Sequence, residues 1–416
     1  MSGVRNSDNS RDLNGKKGMT QSRIPELDGL RGIAILLVLL YHYIAVVPGG
    51  QLASSLSRFQ RLFSLDWIGV DLFFVLSGFL IGGILLNFRE SPSYFRTFYT
   101  RRFFRIFPLY YGWIFAYVLL MAIAGHQFSS HDATAPQDHL SLAKQFFFMQ
   151  NLTFGEYPGA FVWFSTTWSL AVEEQFYLVS PFLVRFLSTR PLSMVLGSAV
   201  LAAPFIRMFV RSHMAHGYYM AYALTPSRVD DLAFGMLVAV AWRNPSVRQW
   251  LSSHVTAIHG SLALLCIGAL GWWKWATDPF DVAMQRVGYT WIGLLFTALL
   301  LALLVRPASL LGWVTRMRWL RELGKVAYCV YIVHQTVNFL CHLLITGNTP
   351  QISDWSGAFA TLCAVVLTYG IAKLSWIVLE NPLLRYGHGF RYAEPPKAIQ
   401  RIDAASGVLD SRSVPI

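Results

Sequence analysis

The chain has 416 residues, of which 54% are apolar and only 13% are charged, and its mean hydropathy is +0.43. This composition excludes an ordinary soluble domain and places the chain among polytopic membrane proteins. The net charge of +12 does not indicate a nucleic-acid partner, because the basic residues lie beside apolar segments and not on an aromatic-interleaved soluble face.

Windows of about 20 residues identify ten candidate membrane spans. They are centred near Leu39, Leu76, Tyr117, Tyr177, Leu201, Leu237, Leu265, Leu299, Val337 and Leu367. The sixth, around residues 231–242, is the weakest. We therefore predict an all-α fold, a polytopic membrane helix bundle of about ten transmembrane spans.

Polar segments flank one membrane domain, predicted at residues 23–390. Residues 1–22 and 391–416 are too polar to bury a core, and we expect both to be disordered tails. Lys and Arg concentrate on the side of the N-terminus, which predicts cytoplasmic termini and a multi-pass protein of the cytoplasmic (inner) membrane. Anionic lipid headgroups explain this charge. The long outer connections at residues 126–165 and 211–230 are candidates to cover an outward-facing pocket.

The first span contains two ionisable residues in a run that is otherwise almost entirely apolar. Arg31 lies at its start and His42 within it. The eleven-residue spacing places both on one helical stripe, about 16 Å apart along the axis. Because an ionisable group at membrane depth is costly, the pair calls for a functional explanation.

The second span places Asp71, Gly78 and Gly82 on one stripe. Glycines four residues apart allow close helix contact, so Asp71 is expected to face a neighbouring helix, and the first span is the expected neighbour. His42 and Asp71 are expected at similar depths in the membrane, so the two side chains could form a hydrogen bond. That bond would orient the imidazole. The alternative is that each residue makes only a structural hydrogen bond.

The inner loop at residues 96–108 contains Arg102 and Arg105, three residues apart. On a helix they would be neighbours and would offer two planar forks to phosphate groups. The alternative is ordinary positive-inside charge.

Two later spans carry polar stripes. Glu173 and Glu174 lie on the fourth span and are candidates to contact acceptor hydroxyls; an arginine such as Arg228 pairing with one of these carboxylates is the alternative. On the ninth, Tyr331 and His334 share a face that could line a wet cavity or join helices. The four cysteines lie in spans without the spacing of a disulfide framework or a zinc site, and no histidine spacing indicates a metal.

Several ordered motifs resemble the acyltransferase-3 family of membrane O-acyltransferases. The resemblance covers residues 24–386, essentially the whole membrane domain, and rests on the Arg31 to His42 spacing, the Arg102 to Arg105 pair and five segments. These begin Pro25-Glu-Leu-Asp-Gly-Leu-Arg, Gly69-Val-Asp-Leu-Phe-Phe, Thr167-Trp-Ser-Leu-Ala-Val-Glu-Glu, Leu323-Gly-Lys-Val-Ala-Tyr and Glu380-Asn-Pro.

The resemblance implies a bundle of about ten spans that transfers an acyl group from acyl-CoA to a hydroxyl of a sugar or related acceptor. It implies His42 as the catalytic histidine, Asp71 as its partner, and Arg31, Arg102 and Arg105 as the basic residues of the donor site. Acceptor contacts are predicted for Trp168, Glu173, Glu174, Tyr331 and His334.

The sequence thus predicts an O-acetyltransferase of the cell envelope. Its predicted partners are acetyl-CoA, a carbohydrate or glycosylated acceptor and the lipid bilayer, with no nucleic acid and no metal. Two other classes stay open. A proton-coupled exporter also uses buried His and Asp, and a membrane scaffold would need no His42.

Overall fold

The computed structural model describes residues 24–46, 53–124, 142–154 and 162–394. All regular secondary structure within these ranges is helical. Ten long helices, α1 to α10, contain the ten predicted span centres, which confirms the predicted all-α polytopic bundle. They are Pro25–Leu40, Gly69–Asn87, Tyr94–Ala124, Thr167–Phe186, Thr189–His213, Thr225–Arg243, Val255–Trp275, Tyr289–Val305, Arg318–Thr346 and Trp355–Ser375.

Eight helical segments of the described residues are long and apolar enough to cross a membrane. The two remaining long helices are α4 and α6, which carry the polar residues Glu173, Glu174, Arg228, Asp230 and Asp231. Helix α6 lies largely inside the bundle, where neighbouring helices replace lipid, whereas α4 buries one face and exposes Leu178, Val179, Phe182 and Phe186. The weakness of the sixth predicted span therefore reflects its buried position.

Helix α2 packs most closely against α6 and not, as we predicted, against α1. A Cβ atom at Gly78 would overlap the carbonyl oxygen of Leu232, and one at Gly235 would overlap that of Val75. Because glycine has no side chain, the two backbones can touch, as they do at small residues in other membrane bundles. The prediction that this glycine stripe is a contact face is confirmed. The predicted partner helix, α1, is wrong, because the stripe packs against α6.

Helices α1 and α9 run side by side in the same direction. Gly324 of α9 packs on the backbone of Asp28, and His334 contacts His42 further along. We call the end at which α1 and α9 begin the N-end of the bundle. The start of α4 and the short helix Gly217–Ala223 lie at the opposite end.

Residues 96–108, predicted to form a loop, belong to α3. This helix begins at Tyr94 and continues through Pro108, so Arg102 and Arg105 lie on its first three turns. The short helix Asn381–His388 covers these turns, with Gly387 against Phe104. The basic segment is therefore a rigid wall at the N-end.

The predicted tail at 391–416 begins with ordered residues. Tyr392 stacks on Phe88 with ring centroids 3.9 Å apart, and Ala393 hydrogen-bonds Ser91 and Ser93. The rest of this tail and the predicted tail at 1–22 lie outside the described residues.

The α2–α6 contact predicts a sharp difference between two glycines. We expect Gly78→Ala to destabilise the protein by about 1–3 kcal/mol, because the new methyl group meets a backbone carbonyl that cannot rotate away. Thermal unfolding of the purified protein in detergent measures this. Gly112→Ala is the control, since that Cβ meets no atom within 4 Å. Equal midpoints for the two variants would contradict the close contact.

Candidate active site

Two histidines from α1 and α9 meet toward the end opposite the N-end. His42 lies in the π-helical turn Tyr41–Ala45 that continues α1, and His334 lies on α9. His42 Nδ1 is 3.3 Å from His334 Nε2, and the ring centroids are 5.0 Å apart. Such widened turns are frequent at functional sites. The structure thus joins the predicted catalytic histidine to a residue predicted to bind the acceptor.

Backbone carbonyls determine which nitrogen of each ring carries the proton. His42 Nδ1 lies 2.9 Å from the Val38 oxygen, and His334 Nδ1 lies 2.8 Å from the Tyr331 oxygen. Because a carbonyl oxygen only accepts hydrogen bonds, we assign a proton to both Nδ1 atoms. The His334 Nε2 lone pair then accepts from His42 Nδ1–H. His42 Nε2 keeps its own lone pair and has no hydrogen bond to any described residue.

Tyr43 fixes the widened turn against the neighbouring helices. Its hydroxyl donates to the His334 carbonyl oxygen at 2.9 Å and lies 2.8 Å from Thr368 Oγ1 on α10. Because Tyr43 is buried and immediately follows His42, this contact holds the imidazole in place. Sequence reasoning missed Tyr43, which no polar spacing distinguishes from an ordinary core tyrosine.

The predicted bond between Asp71 and His42 is wrong. Asp71 Oδ1 accepts a hydrogen bond of 2.7 Å from Arg228 Nη2 on α6, and Asp231 Oδ2 lies 3.8 Å from the same nitrogen. All three side chains are buried. A guanidinium balances a buried carboxylate's charge, which a neutral imidazole does not. Arg228 thus pairs with Asp71 and not with Glu173 or Glu174.

Trp168, predicted to contact the acceptor, belongs instead to an aromatic box around Arg228. The Arg228 guanidinium carbon lies 4.1 Å from the Tyr289 ring centroid, 5.6 Å from that of Tyr222 and 5.9 Å from that of Trp168. Stacking over aromatic faces favours a desolvated guanidinium. Trp168 is 4% exposed, so in this structure it supports the ion pair.

A cavity of about 480 Å³ begins at the N-end and reaches inward to Tyr331. Arg385 and His388 line it and are exposed, which marks its mouth. At the inner end, Tyr331 lies with its ring centroid 6.0 Å from that of His334. Its hydroxyl is 2.5 Å from Ser169 Oγ. The cavity therefore extends from the surface toward the histidine pair.

Arg31, Arg102 and Arg105, predicted as the donor site, all line this cavity. Arg102 and Arg105 make no hydrogen bond or ion pair with any other described residue, and Arg31 lies 3.7 Å from Asp28. All three lie within electrostatic range of one another. Three cations around one cavity repel each other, and a polyanion relieves that repulsion. The geometry suits several phosphate groups.

The two predicted acceptor carboxylates lie beside these arginines and not beside the histidines. Glu173 lines the cavity and accepts hydrogen bonds from Ser77 and Tyr177. Glu174 lines a second, mostly apolar cavity of about 480 Å³ that shares Arg102 and Tyr177 with the first. Both carboxylates therefore lie in the arginine-lined region of the bundle.

Arg228 is the main residue whose position sequence reasoning did not predict. Three charged residues, Arg228, Asp230 and Asp231, occur within four positions of an apolar span, and such a cluster is itself a signal of buried pairing. Within the described ranges, no three His, Cys, Asp or Glu side chains are placed to hold a metal ion.

Residues 24–375 match the model of a protein family described as an acyltransferase domain. The chain belongs to the acyltransferase-3 family. A peptidoglycan O-acetyltransferase of Listeria monocytogenes is 29% identical over 379 residues, covering 88% of this chain and 56% of the relative. A putative peptidoglycan O-acetyltransferase of Bacillus subtilis is 29% identical over 389 residues, with 88% and 55% covered.

An O-acetyltransferase of Staphylococcus aureus is 26% identical over 383 residues, with 88% of this chain and 58% of the relative covered. This member of the family thus spans a little over half the length of these relatives. No solved structure matches the chain.

The buried ion pair generates a test of Asp71. We expect Asp71→Ala to destabilise the protein by about 3–5 kcal/mol, since Arg228 loses its partner at 2.7 Å and keeps only Asp231 at 3.8 Å. The triple variant Asp71→Leu/Arg228→Met/Asp231→Asn leaves no charge of this cluster unpaired and should recover part of that loss. Thermal unfolding in detergent measures both.

Lys373→Ala is the control, because Lys373 pairs with Glu322 and the two side chains are 30% and 33% exposed; we expect a loss below about 1 kcal/mol. If Asp71→Ala kept wild-type stability but lost activity, Asp71 would act in the reaction itself.

Proposed function

We propose that the protein is a membrane O-acyltransferase that moves an acetyl group from acetyl-CoA to a hydroxyl of a carbohydrate or glycosylated acceptor. The observation that carries this proposal is one cavity with three free or weakly paired guanidinium groups near its mouth and an open histidine base beyond its inner end. The relatives named as O-acetyltransferases support the same reaction class. The family match gives the transporter alternative no support.

The three arginines that line the cavity support a position for the donor site. Arg31, Arg102 and Arg105 would bind the phosphate groups of CoA, and the long pantetheine arm would extend along the cavity past Tyr331 toward His42. Eleven residues separate Arg31 from His42, which is about 16 Å of helix. The phosphates and the reacting thioester are therefore held at different depths, as an extended donor requires.

His42 would act as the general base. Its Nε2 takes the proton of the acceptor hydroxyl while the hydroxyl oxygen attacks the thioester carbonyl carbon. The carbon–sulfur bond then breaks, and the imidazolium returns the proton to the departing CoA sulfur. His334 Nε2 and the Val38 carbonyl both accept from His42 Nδ1–H, so they stabilise the imidazolium between these two steps.

A covalent acetyl-histidine is the competing mechanism, since the same Nε2 lone pair faces the site. Labelled acetyl-CoA without acceptor distinguishes the two. Label that stays on the protein after denaturation supports the covalent route, and its absence under single-turnover conditions supports direct transfer.

The positive residues at the N-end also support an orientation. We infer that the N-end faces the cytoplasm, because acyl-CoA is cytoplasmic and the donor arginines lie at that end. The protein would then be a multi-pass protein of the inner membrane.

The general-base role predicts the behaviour of His42→Ala. We expect acetyl transfer to fall by about 10²–10⁴-fold, because no other described group replaces the Nε2 lone pair. Membranes with the variant, labelled acetyl-CoA and cell-wall glycan strands measure this. His259→Ala is the control, since the one hydrogen bond of the His259 ring to a described residue is to the Val255 carbonyl oxygen on α7. Equal labelling by His42→Ala and wild type would remove His42 from catalysis.

The phosphate-binding role predicts a donor-specific defect. We expect Arg102→Gln to raise the KM for acetyl-CoA by about 10- to 100-fold, through the loss of one charge-assisted contact. The variant should lose the wild-type preference for acetyl-CoA over S-acetylpantetheine, which has no phosphate. Arg96→Gln, an exposed arginine on the same helix, is the control. An unchanged preference would exclude Arg102 from phosphate binding.

A further inference from the structure

Aromatic side chains gather at the end of the bundle opposite the cavity mouth. The ring centroids of Tyr219 and Phe280 are 4.7 Å apart, and those of Tyr222 and Phe280 are 5.2 Å apart. Tyr222 in turn lies 4.4 Å from Trp168. A continuous aromatic surface therefore runs from the partly exposed Tyr219 inward to the box around Arg228.

Asp278 adds an exposed carboxylate at the rim of this surface. Its Oδ1 accepts from the Phe280 backbone nitrogen at 2.8 Å, and its charge acts on both Tyr41 and Tyr219. The other carboxylate oxygen has no hydrogen bond to any described residue. It is thus available to a ligand hydroxyl.

The segment that carries Asp278 is held in place by side chains from two helical elements. Trp67 Nε1 donates to the Thr277 oxygen at 2.8 Å, and the Tyr289 hydroxyl donates to the Pro279 oxygen at 2.7 Å. Because Tyr289 also packs on Arg228, the buried ion pair and the rim segment share a support. The carboxylate is therefore positioned before any ligand arrives, which reduces the cost of binding.

Tyr41 connects this rim to the histidine pair. Its ring meets the His42 ring edge-on with centroids 5.1 Å apart, and it lies within electrostatic range of Tyr222. Tyr41 and Tyr222 are both partly accessible, and neither hydroxyl bonds to another described residue. Two hydroxyl groups without partners thus lie between the rim and the catalytic imidazole.

We propose that Tyr219, Phe280 and Asp278 form the outer part of the acceptor site, with Tyr41 and Tyr222 guiding the reacting hydroxyl to His42. The ligand class is a polyhydroxylated carbohydrate, and this inference rests on the proposed acetyl transfer. Aromatic faces pack on the C–H faces of sugar rings, while a carboxylate accepts from their hydroxyls. None of the five was predicted from the sequence to bind the acceptor.

The charges separate the two substrates. The donor end presents three arginine side chains to its cavity, whereas the rim presents the Asp278 carboxylate, and the nearby Arg211 donates to the Phe280 carbonyl oxygen and to Gln285 Oε1. A hydroxyl-rich acceptor suits the rim better than a donor with several phosphate groups does. Donor and acceptor therefore approach His42 from opposite ends of the bundle.

The test compares KM values for the two substrates in purified protein. The probes are labelled acetyl-CoA and soluble glycan strands prepared from bacterial peptidoglycan. We expect Asp278→Asn and Tyr219→Leu each to raise the KM for the glycan by about tenfold, the loss of one good polar or stacking contact. The KM and the binding affinity for acetyl-CoA should stay at the wild-type value, which also reports correct folding.

Asp281→Asn is the matched control. It makes the same chemical change in the same segment, and the Asp281 oxygen only accepts from the backbone nitrogens of Ala283 and Met284, which an asparagine can also satisfy. Wild-type glycan KM in both Asp278→Asn and Tyr219→Leu would overturn the site. If the wild type itself transfers no label to glycan, the proposed function fails, and this site fails with it.

Discussion

In a membrane interior a charged side chain needs a partner of opposite charge. The arginines of the bundle fall into two groups, those that pair with an aspartate and those that do not. Arg228 and Arg207 are fully buried, and each pairs with an aspartate, Asp71 at 2.7 Å and Asp230 at 2.9 Å. Arg102 and Arg105 have no such pair among the described residues and face a cavity. Since an unpaired charge is not tolerated in hydrocarbon, a ligand is the partner that we propose for these two arginines.

The paired arginines also determine where the catalytic helix lies. Arg228 joins α6 to α2, and the Gly78 and Gly235 contacts bring these helices together at backbone distance. Gly69 of α2 lies against Ala34 of α1. A chain of close contacts therefore runs from the ion pair to α1, the helix that carries His42. Asp71 thus contributes to this packing, and its hydrogen bond goes to Arg228 and not to the imidazole.

The sequence predicted the parts of the site that depend on helical period. The spacing of Arg31 and His42, and that of Arg102 and Arg105, placed side chains on common faces, and all three arginines do line one cavity. What failed was the choice of partner between helices. A helical stripe says that Asp71 faces a neighbour, but whether that neighbour is α1 or α6 depends on packing between segments more than 150 positions apart in the chain.

The prediction that Trp168, Glu173 and Glu174 contact the acceptor stays a prediction and meets the same physical limit. Polar or aromatic residues in a span indicate a wet or buried polar region, but the type of residue does not say which end of the bundle it serves. The structure places Glu173 beside the cavity arginines and Trp168 against Arg228. Tyr219 and Phe280, which we propose for the acceptor site at the opposite end, come from short segments without a helical period to reveal them.

The two-ended arrangement has a chemical consequence for the thioester. A path open from end to end would let water reach His42 Nε2 and compete with the acceptor hydroxyl. The inner end of the donor cavity instead meets Tyr331, whose hydroxyl contacts Ser169 and donates to the Thr166 oxygen at 3.1 Å. Beyond it lie the buried His334 and the aromatic box. His42 thus lies beyond these buried side chains and outside the cavity lining, where exclusion of water would favour acetyl transfer over hydrolysis in the proposed mechanism.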